Sequence, residues 1–238
     1  YCKEQGIGSL KLVVSGEDAL KPGSAKDIHY TDEEMEAAGS AARDAGLWIA
    51  THAYYPEAIR LALKAGARII YHASYADAAA ADAMIAAKDT TFYAPSPGVS
   101  IAALEASPPP HIDMTYMKTS AAERMELESK LVPALKARGM RILIGGDYGF
   151  PFNPNGRNAR DLQIFVEHFG YTPAEALVAA TKLGGELMDL PVGQVKEGFL
   201  ADLLLVDGDP TEDVTILQDK DRLAMIMKDG ALYKAPAV

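Results

Sequence analysis

Leu47-Trp48-Ile49-Ala50-Thr51-His52, a stretch from Pro56 to Ala65, and Ala67-Arg68-Ile69-Ile70-Tyr71-His72 decide the fold. The outer segments are short apolar runs bounded by turn residues, as buried strands are. The middle segment opens on a proline, which suits a first helical turn, and stops at Gly66. Strand, helix and strand in this order predict a parallel βαβ unit with apolar residues on both sheet faces. Each strand runs out at a histidine. In a parallel α/β barrel the C-terminal strand ends all open onto one mouth, so His52 and His72 are expected at a common site.

The same pattern extends outward. Gly8-Ser9-Leu10-Lys11-Leu12-Val13-Val14 reads as a preceding strand that delivers Lys11 to the same end of the sheet. Between it and Leu47, Thr31-Asp32-Glu33-Glu34 is a capping box opening a helix that ends near Gly46. Downstream come an alanine-rich helix from Ala76 to Ala87, a short strand Thr90-Thr91-Phe92-Tyr93-Ala94, and a long loop through Pro108-Pro109-Pro110. A helix from Ala121 to Arg138 follows, then a strand Arg141-Ile142-Leu143-Ile144-Gly145-Gly146-Asp147 and a Gly/Pro/Asn-rich loop from Gly149 to Gly156. Two helices are predicted next, Ala159 to Phe169 and Pro173 to Met188, the second capped by Thr172 with Glu175 in the matching box position. Five parallel strands are expected in all. From Gly193 the pattern changes to strands without long helices between them, Ala201 to Val206 and Leu223 to Lys228, separated by Asp207-Gly208-Asp209-Pro210.

Composition narrows the function classes. The chain is 49% hydrophobic and 24% charged, a mix that suits a soluble globular protein, and its net charge is −10. That charge repels a phosphate backbone, so no nucleic-acid partner is expected. No apolar run is long enough to span a bilayer. The single Cys2 excludes an internal disulfide framework and fits a reducing, cytoplasmic setting. Tyr1-Cys2-Lys3-Glu4-Gln5-Gly6 lacks the apolar core of a signal peptide and resembles the end of a helix, so a fragment of a longer protein is expected.

Four side chains at strand ends carry the candidate chemistry: Lys11, His52, His72 and Asp147. Imidazole is a common neutral ligand for zinc-like metals. For either histidine alone, a hydrogen-bonded core residue is the plainer reading. A carboxylate directly behind an apolar strand, as Asp147 is, must be paired, capping or metal-bound. Lys11 sits amid Leu10, Leu12, Val13 and Val14, and a buried lysine needs a partner, a lowered pKa or chemical modification. Tyr54, Tyr55, Tyr75, Tyr93, Tyr148, Phe150 and Phe152 lie at or beyond strand ends, where they would favour a flat or apolar substrate. Tyr54 and Tyr148 are candidates to touch it, and His111, in the loop after the Thr90 strand, is placed to reach the mouth.

Lys11, Thr51-His52-Ala53-Tyr54, Tyr71-His72-Ala73, Gly145-Gly146-Asp147-Tyr148-Gly149, Thr172-Pro173-Ala174-Glu175-Ala176-Leu177 and Val195-Lys196-Glu197-Gly198-Phe199-Leu200-Ala201-Asp202-Leu203 occur in order. Together they resemble the amidohydrolase superfamily, in its imidazolonepropionase-related and dipeptidase-like branch, over essentially the whole chain. The resemblance implies an α/β fold, a TIM (β/α)8 barrel of which this chain supplies about strands 4–8. Residues 1–192 would form the C-terminal part of that barrel, and residues 193–238 the strands of a small β-sandwich.

The resemblance also implies two divalent metal ions, expected to be zinc, with carboxylated Lys11 as the bridging ligand. His52 and His72 would bind one metal; Asp147 would bind the other and act as general acid/base on a metal-bridged hydroxide. From its placement two residues after His52, independently of the resemblance, Tyr54 is expected to donate a hydrogen bond to a substrate carbonyl or carboxylate. The His-x-His pair that the family carries on its first strand has no counterpart in this chain.

The expected activity is hydrolysis of an amide, urea, carbamate or peptide C–N bond in a small, apolar or aromatic substrate. An ester or lactone hydrolase with the same centre is the alternative within enzymes, and a catalytically silent barrel fragment with a binding or structural role is the alternative outside them. An amino-terminal polypeptide completing the barrel, and assembly as a homo-oligomer, are the expected partners.

Overall fold

The computed structural model describes residues 1, 3–18 and 21–236, and Cys2, read above as a reduced thiol, lies outside them. The chain divides into two compact units, Tyr1–Ile142 and Leu143–Val238.

The first unit alternates strand and helix: β1 (Ser9–Val13), α1 (Asp32–Ala45), β2 (Trp48–Ala53), α2 (Pro56–Lys64), β3 (Ala67–His72), α3 (Ala78–Ala86), β4 (Phe92–Ala94), α4 (Pro97–Glu105) and α5 (Thr115–Ala137). The strands form one parallel sheet in sequence order, β1-β2-β3-β4. The expected capping box is present, with Thr31 accepting from the Glu34 amide and Glu34 accepting from the Thr31 amide. Gly46 ends α1 in the left-handed conformation. The apolar runs of β2, β3 and α2 bury Ile49, Ile59, Leu61, Ile69 and Ile70. Each such side chain contributes about 1.5–3 kcal/mol by leaving water.

Three expectations for this unit are corrected. The segment from Arg141 to Asp147 is not a fifth continuous strand. It makes one parallel bridge, Tyr93 with Ile142, because two glycines follow and Asp147 turns left-handed at φ 53°. The loop before Pro108 contains α4, whose first turn Pro97 pre-organises. Lys11 is not buried. β1 is the edge strand of the four, and alternation exposes Lys11 and Val13 together on one face.

The second unit holds α6 (Arg160–Phe169), α7 (Pro173–Ala180), α8 (Lys182–Met188) and an antiparallel sheet of β5 (Leu203–Val206), β6 (Leu223–Lys228) and β7 (Ala231–Lys234), in that order. The single helix expected from Pro173 to Met188 is broken at Thr181, which turns its hydroxyl back onto the Leu177 carbonyl at 2.7 Å. The third strand, Ala231–Lys234, is an addition to the expectation. Phe165 packs edge-on against Phe169 and Tyr171, each at 5.1 Å between ring centroids.

Candidate metal centre

His52 is the penultimate residue of β2 and His72 the last of β3, and the register pairs Ala53 with His72 and His52 with Tyr71. Regular alternation would therefore send the two imidazoles to opposite faces of the sheet. They meet instead, edge to face, with ring centroids 4.6 Å apart. The backbone explains it: His72 and Ala73 both adopt positive φ, 72° and 54°. A left-handed residue other than glycine is strained by roughly 1–3 kcal/mol and persists only where its surroundings enforce it. Here the Ala73 amide donates to the Ala53 carbonyl at 2.9 Å and the Tyr75 amide to the Tyr54 carbonyl at 3.2 Å.

A third group arrives from the segment after β1. The Val14 and Ser15 amides donate to the His52 carbonyl at 2.9 and 3.4 Å, so this segment is pinned to β2 at the histidine itself. Gly16 follows, its carbonyl 3.2 Å from His52 Nε2. A Cβ at Gly16 would lie 2.2 Å from the Ser24 carbonyl oxygen, so only glycine lets the chain pass. That passage delivers Glu17. Its Oε2 accepts the Tyr54 hydroxyl at 3.1 Å and stands 3.9 Å from His52 Nε2. One ligand atom from each of Glu17, His52 and His72 lies within 4.8 Å of the others.

The electrostatics suit a cation. Burial first, then the positive charge of neighbouring groups, holds His72 well below the ordinary histidine pKa, leaving it neutral near pH 7. One of its ring nitrogens bonds to the backbone of Pro95. Proline has no amide hydrogen, so the imidazole donates to the carbonyl and its other nitrogen keeps a lone pair. That is how metal-ligating histidines are oriented. Burial and the adjacent Glu17 push the Tyr54 hydroxyl well above its usual range, so it remains a donor. Two imidazoles and a carboxylate form a donor set that fits a zinc-like ion.

Behind these residues lies a buried polar layer. Arg124, 5% exposed, stands 5.7 Å from the Tyr54 ring centroid and donates to Ser120 Oγ at 2.8 Å. Ser120 in turn donates to Asp18 at 3.3 Å. Tyr54 stacks on His72 at 4.7 Å, and Tyr55 stacks on Tyr75 at 4.3 Å. Tyr93 is fully buried and packs the core.

The other expected site residues fall as follows. Lys11 lies opposite Ala50, two residues and about 7 Å before the row that contains Val13 and His52, and its Nζ sits 4.8 Å from the Tyr71 ring centroid. His111 is exposed in the turn closed by the Ile112 amide and Pro109 carbonyl. Asp147 and Tyr148 belong to the second unit. Asp147 is exposed, and Asn153 Nδ2 holds the turn by donating to the Gly146 and Asp147 carbonyls at 2.8 and 3.0 Å. A Cβ at Gly146 would lie 2.6 Å from a carboxylate oxygen of Asp161. Asp161 is 1% exposed, and burial raises its pKa to about 6.

Glu17, Asp18, Arg124 and Asp161 were not singled out from sequence. Only Glu17 carried a usable signal, as an acid four residues after β1 and directly behind a glycine. A cavity of about 180 Å³ lined by Arg43, Trp48 and Arg68 opens near the strand starts, away from these groups.

Residues 16–232 match the amidohydrolase family model. The chain belongs to the amidohydrolase family. It is 27% identical to ochratoxinase of Aspergillus niger over 98% of this chain and 48% of that protein. The crystal structure of A. niger ochratoxinase superposes with a TM-score of 0.86 at 24% identity, over 99% of this chain and 53% of that one. A Xaa-Pro dipeptidase with methionine bound in its active site superposes with a TM-score of 0.82 at 29% identity, over 98% of this chain and 56% of that one. The amidohydrolase chain described here thus spans about half the length of these relatives. Among the described residues, no helix is long and apolar enough to cross a membrane.

Proposed function

We propose that this chain supplies the C-terminal half of a metal-dependent amidohydrolase that cleaves an amide, urea, carbamate or peptide C–N bond. The observation that carries the reading is the convergence of His52 and His72 at the ends of adjacent parallel strands, against strand alternation, with Glu17 beside them. Membership of the amidohydrolase family supports it, as does likeness to a dipeptidase.

A divalent ion bound there would polarise the scissile carbonyl and acidify a water molecule. His52 and His72 would hold it, with Lys11 bridging to a second ion that Asp147 would bind, as the family resemblance assigns. Asp147 moves the proton from the attacking water to the leaving nitrogen. Tyr54 keeps its proton and orients Glu17. The stacked pair Tyr55 and Tyr75 offers a flat apolar surface, which supports an aromatic or apolar acyl group in the substrate.

The barrel is completed by an amino-terminal polypeptide. The free edge of β1 and the share of the relatives' length that this chain spans both support that partner. The test is a substrate screen on the zinc-loaded protein that includes the amino-terminal polypeptide. Aryl amides, carbamates and Xaa-Pro dipeptides are expected to be cleaved, with loss of rate on chelation. Cleavage of phosphoesters ahead of every C–N substrate would overturn the reading.

A further inference from the structure

We infer that Glu17 is itself a metal ligand, closing with His52 and His72 a two-histidine, one-carboxylate site within the first unit. The inference rests on the metal-dependent reading above and names a ligand beyond those the family resemblance assigns.

The geometry carries it. Two ligand atoms each about 2 Å from one zinc ion, at a tetrahedral angle, stand about 3.4 Å apart. Glu17 Oε2 stands 3.9 Å from His52 Nε2, too long for a hydrogen bond and close to ligand spacing, and ligation through that nitrogen would replace its 3.2 Å contact with the Gly16 carbonyl. The full set lies within 4.8 Å, wider than that spacing by little more than about 1 Å. The Glu17 side chain is 21% exposed and that of His52 9%, so an ion there is largely shielded from water. The position of Glu17 is imposed rather than incidental. Its carbonyl accepts the Ser24 hydroxyl at 2.9 Å, the preceding glycine admits no side chain, and Tyr54 fixes its carboxylate. A hydroxyl donated to a ligating carboxylate is the usual outer support of a metal site.

Lys11 stands differently. It is exposed, one inward-facing row earlier on β1, with its ammonium over Tyr71.

The experiment measures zinc per chain by metal analysis, and zinc affinity by chelator competition, on the full protein and on Glu17→Gln, Tyr54→Phe and the control Lys130→Met. Circular dichroism and the thermal midpoint verify the fold of each. Glu17→Gln is expected to weaken the tightest zinc site by at least about a hundredfold, and Tyr54→Phe by about ten- to a hundredfold. Lys130→Met, at an exposed residue outside the site, is expected to leave zinc affinity within about threefold of the original. If the unaltered protein holds no zinc, both the metal-dependent reading and this inference fall. If it holds zinc and Glu17→Gln binds it equally well, the inference alone falls. An equal loss of that tight site in Lys130→Met would also overturn it. Should Glu17→Gln fail to fold, Tyr54→Phe decides: unchanged affinity there overturns the inference.

Discussion

Ser74 donates its hydroxyl to Glu128 at 2.5 Å, across 54 residues of sequence, with both side chains almost wholly buried. The contact ties the turn that follows the strained His72–Ala73 pair to the middle of α5. Among the described residues, the other carboxyl oxygen of Glu128 has no hydrogen-bond partner. Burial raises the acid to about pKa 8. Glu128 is therefore a neutral acid at pH 7, held where an ionised one would be destabilising.

The first prediction follows from linkage. The folded protein keeps the Glu128 proton between about pH 4.5 and pH 8, whereas the unfolded chain has released it. The native state binds more protons there, so this group makes stability fall as pH rises through that window and level off above it. At 1.36 kcal/mol per pKa unit the upper bound is about 5 kcal/mol. Glu128→Gln, which keeps the Ser74 contact without ionising, is expected to flatten the decline. Denaturant midpoints at pH 5, 7 and 9 measure it; parallel curves for the two proteins would refute the assignment.

The second concerns Gly16. A methyl group there collides with the Ser24 carbonyl oxygen, so Gly16→Ala must displace the segment carrying Glu17. Destabilisation of roughly 1–3 kcal/mol is expected. Zinc affinity is expected to fall with it. Thermal unfolding and chelator competition together check this, and an unchanged affinity would show that Glu17 is placed by something other than the Gly16 passage.

The third prediction tests the proton route. Asp147→Asn keeps the shape of the side chain but cannot accept a proton. A rate loss of about 10²–10⁴-fold is expected with the fold preserved. More than about a tenth of the original rate remaining would argue against Asp147 as the acid/base.

The fourth concerns the free edge of β1. One side of the strand pairs with β2 from Ser9 to Val13; among the described residues no strand pairs with the other, which, apart from the Val13 carbonyl met by the His29 ring, presents backbone groups that a further strand can satisfy. If an amino-terminal polypeptide completes the barrel, hydrogen exchange at alternate amides of Ser9–Val13 slows markedly when it is present. Equal exchange rates with and without it would remove that partner from the proposal.

Much of this was legible in the order of residues. The βαβ unit from Trp48 to His72 declared itself because proline, glycine and short apolar runs are local signals, set by backbone sterics and by which faces are buried. The capping boxes at Thr31 and Thr172 were legible for the same reason, since a cap is satisfied within four residues. The run before Asp147 misled, because an apolar pattern there competes with two glycines and a left-handed aspartate.

The order of residues also determined that His52 and His72 end neighbouring parallel strands. It did not determine that their rings meet, because alternation alone sets them on opposite faces; the left-handed backbone at His72 and Ala73, held by the Ala53 carbonyl, decided that. Nor did it announce Glu17, which lies 35 residues before His52 in a segment with no periodicity to read. Its approach depends on a non-local fit, a glycine passing under the Ser24 carbonyl and a tyrosine from the next strand reaching back to the carboxylate. Local chemistry writes strands and caps into a sequence, whereas side chains distant in it meet only once the sheet has packed.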